Sequence, residues 1–196
     1  MLRHRLHKVI IIAAVLLLAG RAVLSAVDID DGFGSARIIK GEHFTIYYEP
    51  DLDIRELIQN LDIYPSDEIL TGKAIRKSDS SERTLADMVD ILFRRVCDIL
   101  DMQLYSFHGN IKVCRDREHV NSIYNNLFDR DLKDYHSFYA YGINTIYISA
   151  ENFKREVLGH EIAHAVISHY FVVQPSMKVQ EVLAGYIEYQ LRKTEQ

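Results

Sequence analysis

The chain has 196 residues, enough for one domain with a real core, and nothing in that length requires a second. With 48% hydrophobic and 26% charged residues it is neither disordered nor fibrous, and a formal net charge of −5 argues against a polyanionic partner.

The N-terminus reads apart from the rest. Arg3, Arg5 and Lys8 lead into an apolar run of eleven residues, 9–19, and then to small residues at Ser25 and Ala26. Basic, apolar, small is the order of a secretory signal peptide, here over residues 1–26. The run is closed by Gly20 and Arg21, short of the roughly 20 residues that a spanning helix needs. The alternative is an uncleaved anchor extending to Val27. No Cys follows the run, which argues against a lipid anchor. A periplasmic or secreted protein is expected, with no membrane span once the leader is gone. Cleavage removes four cations (Arg3, Arg5, Lys8, Arg21) and no anion, which moves the charge from −5 to −9. No cluster of Lys and Arg interleaved with aromatics offsets that acidity, so nucleic acid is set aside. Export also makes Cys97 and Cys114 a possible disulfide, the alternative being two separately buried thiols.

In chain order, residues 41–49 are rich in β-branched and aromatic side chains and stop at Pro50, the pattern of a strand. Residues 53–61 have helical spacing at Ile54, Leu57, Ile58 and Leu61. Pro65, Gly72 and a Ser/Asp/Lys-rich stretch mark 64–81 as a loop. From Glu82, apolar residues at Leu85, Met88, Val89, Leu92, Val96, Ile99 and Leu100 recur at steps of three and four, predicting a long amphipathic helix. A short strand at 111–114 and a short helix at 119–127 follow. Residues 138–141 and 144–149 flank Gly142 and read as a hairpin. Residues 151–171 form a helix that is apolar almost all round, hence buried. After Pro175 and Ser176, residues 178–193 form a last helix.

The buried helix carries His160-Glu161-Ile162-Ala163-His164. Side chains four apart on a helix lie about 5–6 Å from one another on one face, so two imidazoles there can converge on one Zn2+ with bonds of about 2.0–2.1 Å. Glu161, roughly 100° further round, cannot easily join them as a ligand but can reach a water beside them, the place of a general base. Composition alone would write this motif about 0.03 times in such a chain. Its position inside an apolar helix carries more weight, because two His and a Glu are costly to bury without a purpose.

A catalytic zinc usually takes three protein ligands. Glu181 is the candidate third. If the chain turns at Pro175 and the last two helices run antiparallel, His164 and Glu181 lie at depths of roughly 10 and 6 Å from the turn, which are compatible. His169, Glu188 and His136 are rivals, with His169 on the far side of the helix from the pair.

The motif, followed by Glu181-Val182-Leu183-Ala184 on the next helix, resembles the gluzincin metallopeptidases, most closely their compact peptidase MA-like branch. The resemblance extends over the strand at 43–48, the long helix after Glu82 and the Tyr-rich hairpin before the motif. It implies a zincin-like α+β domain over 27–196, with a short mixed or antiparallel sheet above the buried helix and a C-terminal helix bearing a ligand. It implies Zn2+ held by His160, His164 and Glu181, Glu161 as catalytic base, and a peptide or protein substrate. In that family a strand on the rim of the cleft pairs with the substrate backbone. Residues 144–149, in particular Asn144, Thr145 and Ile146, or their hairpin partner would fill that role.

The chain departs from the pattern at Val182, where a Gly often follows the ligand Glu, and at Gly185, where an acid is common. The carboxylate that usually holds the first His is therefore unidentified, and none of Tyr139, Tyr141, Tyr170 and Tyr186 is singled out as an oxyanion donor. The reading from another class is a zinc-binding interaction module without turnover, and a structural protein with a coincidental motif is the third.

Overall fold

The structure is a computed structural model that describes residues 30–63, 80–130 and 134–193. The expected signal peptide, and residues 64–79 of the expected loop, lie outside the described residues. Every secondary-structure element belongs to the unit that begins at Asp31.

The elements are strands β1 (Arg37–Lys40) and β2 (Phe44–Tyr48), helices α1 (Ile54–Leu61) and α2 (Ser81–Leu100), strand β3 (Gly109–Cys114), helix α3 (Arg117–Phe128), strands β4 (Ser137–Ala140) and β5 (Thr145–Ser149), and helices α4 (Arg155–Tyr170) and α5 (Met177–Lys193). The class is α+β. The strands form one mixed sheet in the order β1-β2-β3-β5-β4, parallel in the centre (β2 with β3, β3 with β5) and antiparallel at both margins. Among the described residues no helix is long and apolar enough to cross a membrane.

Side-chain alternation along the strands divides the interior into two cores. Ile46, Ile111, Val113, Ile146 and Ile148 point to the face covered by α2 and α4, in the larger core. Phe138, Ala140 and Tyr147 point to the other face, with Val120 and Ile123 of α3. Helix α2 buries the stripe that its sequence predicts, from Leu85 to Cys97.

Polar side chains start the early helices. Asp53, Ser80 and Asp116 accept from the amides of Arg55, Arg83 and His119 and open α1, α2 and α3. Asp62, Asp101 and Asp129 close the same three helices in the left-handed conformation, with φ of 46°, 54° and 49°. A short polar side chain tolerates that region, where Gly is the usual occupant.

Several boundaries shift by one to three residues, and three further differences bear on the sheet and the motif helix. Strand β1 was not foreseen, because only Ile39 of its four residues points inward. The hairpin turn is a 3₁₀ turn at Tyr141–Ile143 that ends on Asn144 with φ of 47°, so β5 starts one residue later than the pattern suggests. The helix expected from 151 starts at Arg155, because Ala150–Asn152 is itself a 3₁₀ turn. Cys97 lies in the larger core and Cys114 in the smaller one, both buried and free, so the thiols are separate. Burial pushes both upward in pKa, Cys97 to about 12.

Candidate metal centre

Helix α4 carries the motif through the interior. It is buried at Leu158 and Gly159 and from Glu161 to Ser168, and it packs against α2, α5, β4 and β5. Gly159, just before His160, permits the approach of α5: a Cβ there would lie 2.2 Å from Leu191 Cδ1, and Leu191 is fully buried. Six residues, 171–176, reverse the chain between α4 and α5. This close packing brings Glu181 and Glu188, two turns apart on α5, over the histidines of α4.

The three expected ligands meet. His160 Nε2 and His164 Nε2 are 3.2 Å apart, and they lie 3.6 Å from different oxygens of the Glu181 carboxylate, His160 from Oε2 and His164 from Oε1. In a tetrahedral zinc site with bonds of about 2.0–2.1 Å, neighbouring ligand atoms stand about 3.3 Å apart. The nitrogen pair therefore matches one edge of such a tetrahedron, with the Glu181 carboxylate oxygens close beside it. Two imidazole nitrogens facing each other across 3.2 Å, with a carboxylate beside both, fit a shared cation. Among the described residues this is the only set of three His, Cys, Asp or Glu side chains close enough to hold a metal. Burial, and then the neighbouring His160, lower the His164 pKa against an opposing pull from Glu181, which favours the neutral imidazole a metal requires. Glu181 is half exposed, so the open side of the triangle faces solvent.

The rivals stand elsewhere. His136 Nδ1 is 3.0 Å from Asn152 Nδ2. His169 Nδ1 lies 3.0 Å from the Ala165 carbonyl, beside the Phe107 and Tyr141 rings. Glu188 approaches the other nitrogen of His160, with Oε2 3.4 Å from Nδ1. That Nδ1 is buried and has no hydrogen bond, so Glu188 is the carboxylate placed to hold the first His, and it pairs in turn with Arg192. The side chain of Gln180 lies beside His164 and pulls its pKa upward, while its Nε2 donates to the Pro175 carbonyl at 3.0 Å. Sequence reasoning missed both supports as supports. The seven-residue spacing of Glu181 and Glu188 was the signal that could have found the first.

Glu161 is buried beside the pair. Its Oε1 accepts from Ser137 Oγ at 2.7 Å. Burial pushes its pKa up to about 7, helped by the charge of Glu181 and opposed by the Ser137 hydrogen bond. Ser137 belongs to β4, which is the edge of the sheet.

Asn144, Thr145 and Ile146 do not present a free backbone edge. Thr145 and Ile146 lie on β5, whose two sides are taken by β3 and β4, and both are buried. The Asn144 carbonyl accepts from the Asn110 amide, and its side chain bonds Tyr139 and the His108 carbonyl. Of the hairpin, it is the partner β4 that has an edge paired with no other strand among the described residues, and β4 borders a cleft of about 710 Å3 together with His160, Glu161, His164 and Glu181. Of the four tyrosines considered, Tyr139 and Tyr141 line this cleft. The Tyr139 hydroxyl is engaged with Asn144 at 2.9 Å, whereas Tyr141 is exposed.

Comparison of the chain with family models, with curated proteins and with solved structures returns no match.

Proposed function

We propose that this chain is an exported zinc-dependent peptidase of the gluzincin type, with a zincin-like arrangement of sheet, motif helix and ligand-bearing helix. The observation that carries the reading is the triangle of His160, His164 and Glu181 with the buried carboxylate of Glu161 beside it. These three residues would hold Zn2+, with Glu188 and Gln180 fixing the imidazoles behind them. When bound, zinc supplies Lewis acidity that polarises a carbonyl and acidifies water.

The remaining work falls to the chain. A buried carboxyl held beside the histidines is placed to take a proton from the attacking water and return it to the leaving amine. Ser137 holds Glu161 at the rim of β4, so the base lies next to the strand along which a substrate backbone would pair. A second cavity, of about 300 Å3, shares Ser137, His160 and Glu161 with the first and adds Asn152 and Glu188. The groove thus runs past the base on both sides, as an extended chain entering and leaving the site requires. The basic, apolar, small order of residues 1–26 supports action outside the cytoplasm.

The test is cleavage of an unfolded protein by the full-length protein and by Glu161→Gln. The reading predicts a loss of about 10² to 10⁴-fold in rate with zinc retained. Cleavage at the wild-type rate by the variant contradicts it, and zinc retention with no cleavage by either form favours the non-catalytic module.

A further inference from the structure

The cleft wraps around both sides of β4. Ser137 and Tyr139 face α4, where Ser137 meets Glu161 and Tyr139 packs on the larger core. Phe138 and Ala140 face α3, in the smaller core. On that second side four rings from three elements stand together. Tyr124 and Phe128 come from α3, Tyr135 from the segment entering β4, and Phe138 from β4 itself. Ring centroids are 4.6 Å apart for Tyr124 and Phe128, 5.0 Å for Tyr124 and Phe138, and 6.1 Å for both Tyr124 with Tyr135 and Phe128 with Phe138. All four border the same cleft as His160, Glu161 and Glu181. Phe138 is buried, but Phe128 and Tyr135 are 43% and 46% exposed, an apolar wall left open toward the groove.

Successive side chains of an extended peptide point to opposite faces. A backbone paired along the free edge of β4 therefore directs one side chain toward Glu161 and the histidines, and the next toward the rings. Given the reading of this groove as a polypeptide site, on which the inference rests, we propose that Tyr124, Phe128, Tyr135 and Phe138 form a subsite for a bulky apolar side chain, one strand position from the residue that faces the metal centre. The occupant is an extended polypeptide with an aromatic or branched aliphatic residue at that position. None of the four side chains carries a charge, so the wall offers stacking and burial rather than an ionic partner.

The experiment separates this from catalysis by measuring binding alone. The full-length Glu161→Gln protein, loaded with zinc, is titrated by calorimetry with two blocked Ala/Ser peptides that differ by one Phe in place of Ala. The peptide can slide along the edge to bring its Phe to the rings. The expected result is about tenfold tighter binding of the Phe peptide, falling to within about twofold when Phe128→Ala and Tyr135→Ala are added. Both positions are exposed, and Phe128→Leu, which keeps an apolar branch, is expected to retain most of the preference. Equal binding of the two peptides, no binding of either, or a preference that survives the double substitution overturns the subsite. Failure of the peptidase reading shows separately, as absent turnover by the unsubstituted protein while the Phe preference persists.

Discussion

Two clusters of buried polar groups, one on each face of the sheet, are built in opposite ways. On the α3 face, Asp31 accepts from Lys112, from the Tyr147 hydroxyl and from the Phe33 amide, and the Lys112 ammonium lies 5.3–5.8 Å from the rings of Phe33, Tyr47 and Tyr147. Beside them His119 bridges Glu49, 2.6 Å from Nδ1, and the Gly32 carbonyl, 3.3 Å from Nε2. Each group there has its own partner. On the α4 face, two imidazole nitrogens point at each other, His160 Nδ1 lacks a hydrogen bond, and Glu161 has lost most of its water. Buried polar groups that satisfy one another hold a fold together. Groups that converge on an outside point, at a cost in stability, mark a site.

Substitutions should separate the faces. Lys112→Met leaves Asp31 buried without its cation and should cost about 3 kcal/mol of folding free energy, read by urea unfolding. By contrast, His160→Ala or His164→Ala should change the stability of the metal-free protein by no more than about 1 kcal/mol. Burial drives the Asp31 carboxyl upward, but its bonds with Lys112, Tyr147 and the Phe33 amide outweigh burial and hold it below the usual value. Its contribution is thus complete above the unfolded carboxylate pKa of about 3.9 and is lost as pH falls from there through the folded value. Lys112→Met should flatten stability against pH in that acid window. An unchanged slope would mean that the Lys112 pair is not what holds the carboxyl down.

A smaller effect is expected from Glu188→Gln. The side chain stays in place but loses its charge opposite His160 Nδ1, so zinc affinity should fall about 10 to 100-fold with the unfolding midpoint of the metal-free protein unchanged. Competition with a chromophoric chelator measures it. Smallest of all is Asp101→Gly, which relieves a left-handed Asp and removes an anion from the negative end of α2. It should stabilise the protein by about 0.5 kcal/mol with no effect on the metal centre.

Local features of the sequence carried much of this. The long amphipathic stripe of α2, the all-round apolarity of α4 and the spacing of His160, Glu161 and His164 are properties of contiguous residues, and all three elements are present. Glu181 needed one tertiary assumption, an antiparallel turn at Pro175, and the tight α4–α5 packing satisfies it. Pairing was harder. Nothing in residues 144–149 tells an inner strand from an edge strand, because that depends on where β3 inserts, and β3 is separated from β5 by α3. The four rings beside β4 were equally hidden, since three elements contribute them and none has a pattern of its own.

The most direct measurement is the zinc content, by mass spectrometry of the metal, of the purified full-length protein beside His160→Ala and Glu181→Ala. The account predicts one zinc per chain in the unsubstituted protein, and its loss in both variants after passage through a weak chelator. A chain that takes up no zinc, or variants that hold it as firmly as the original, would contradict it.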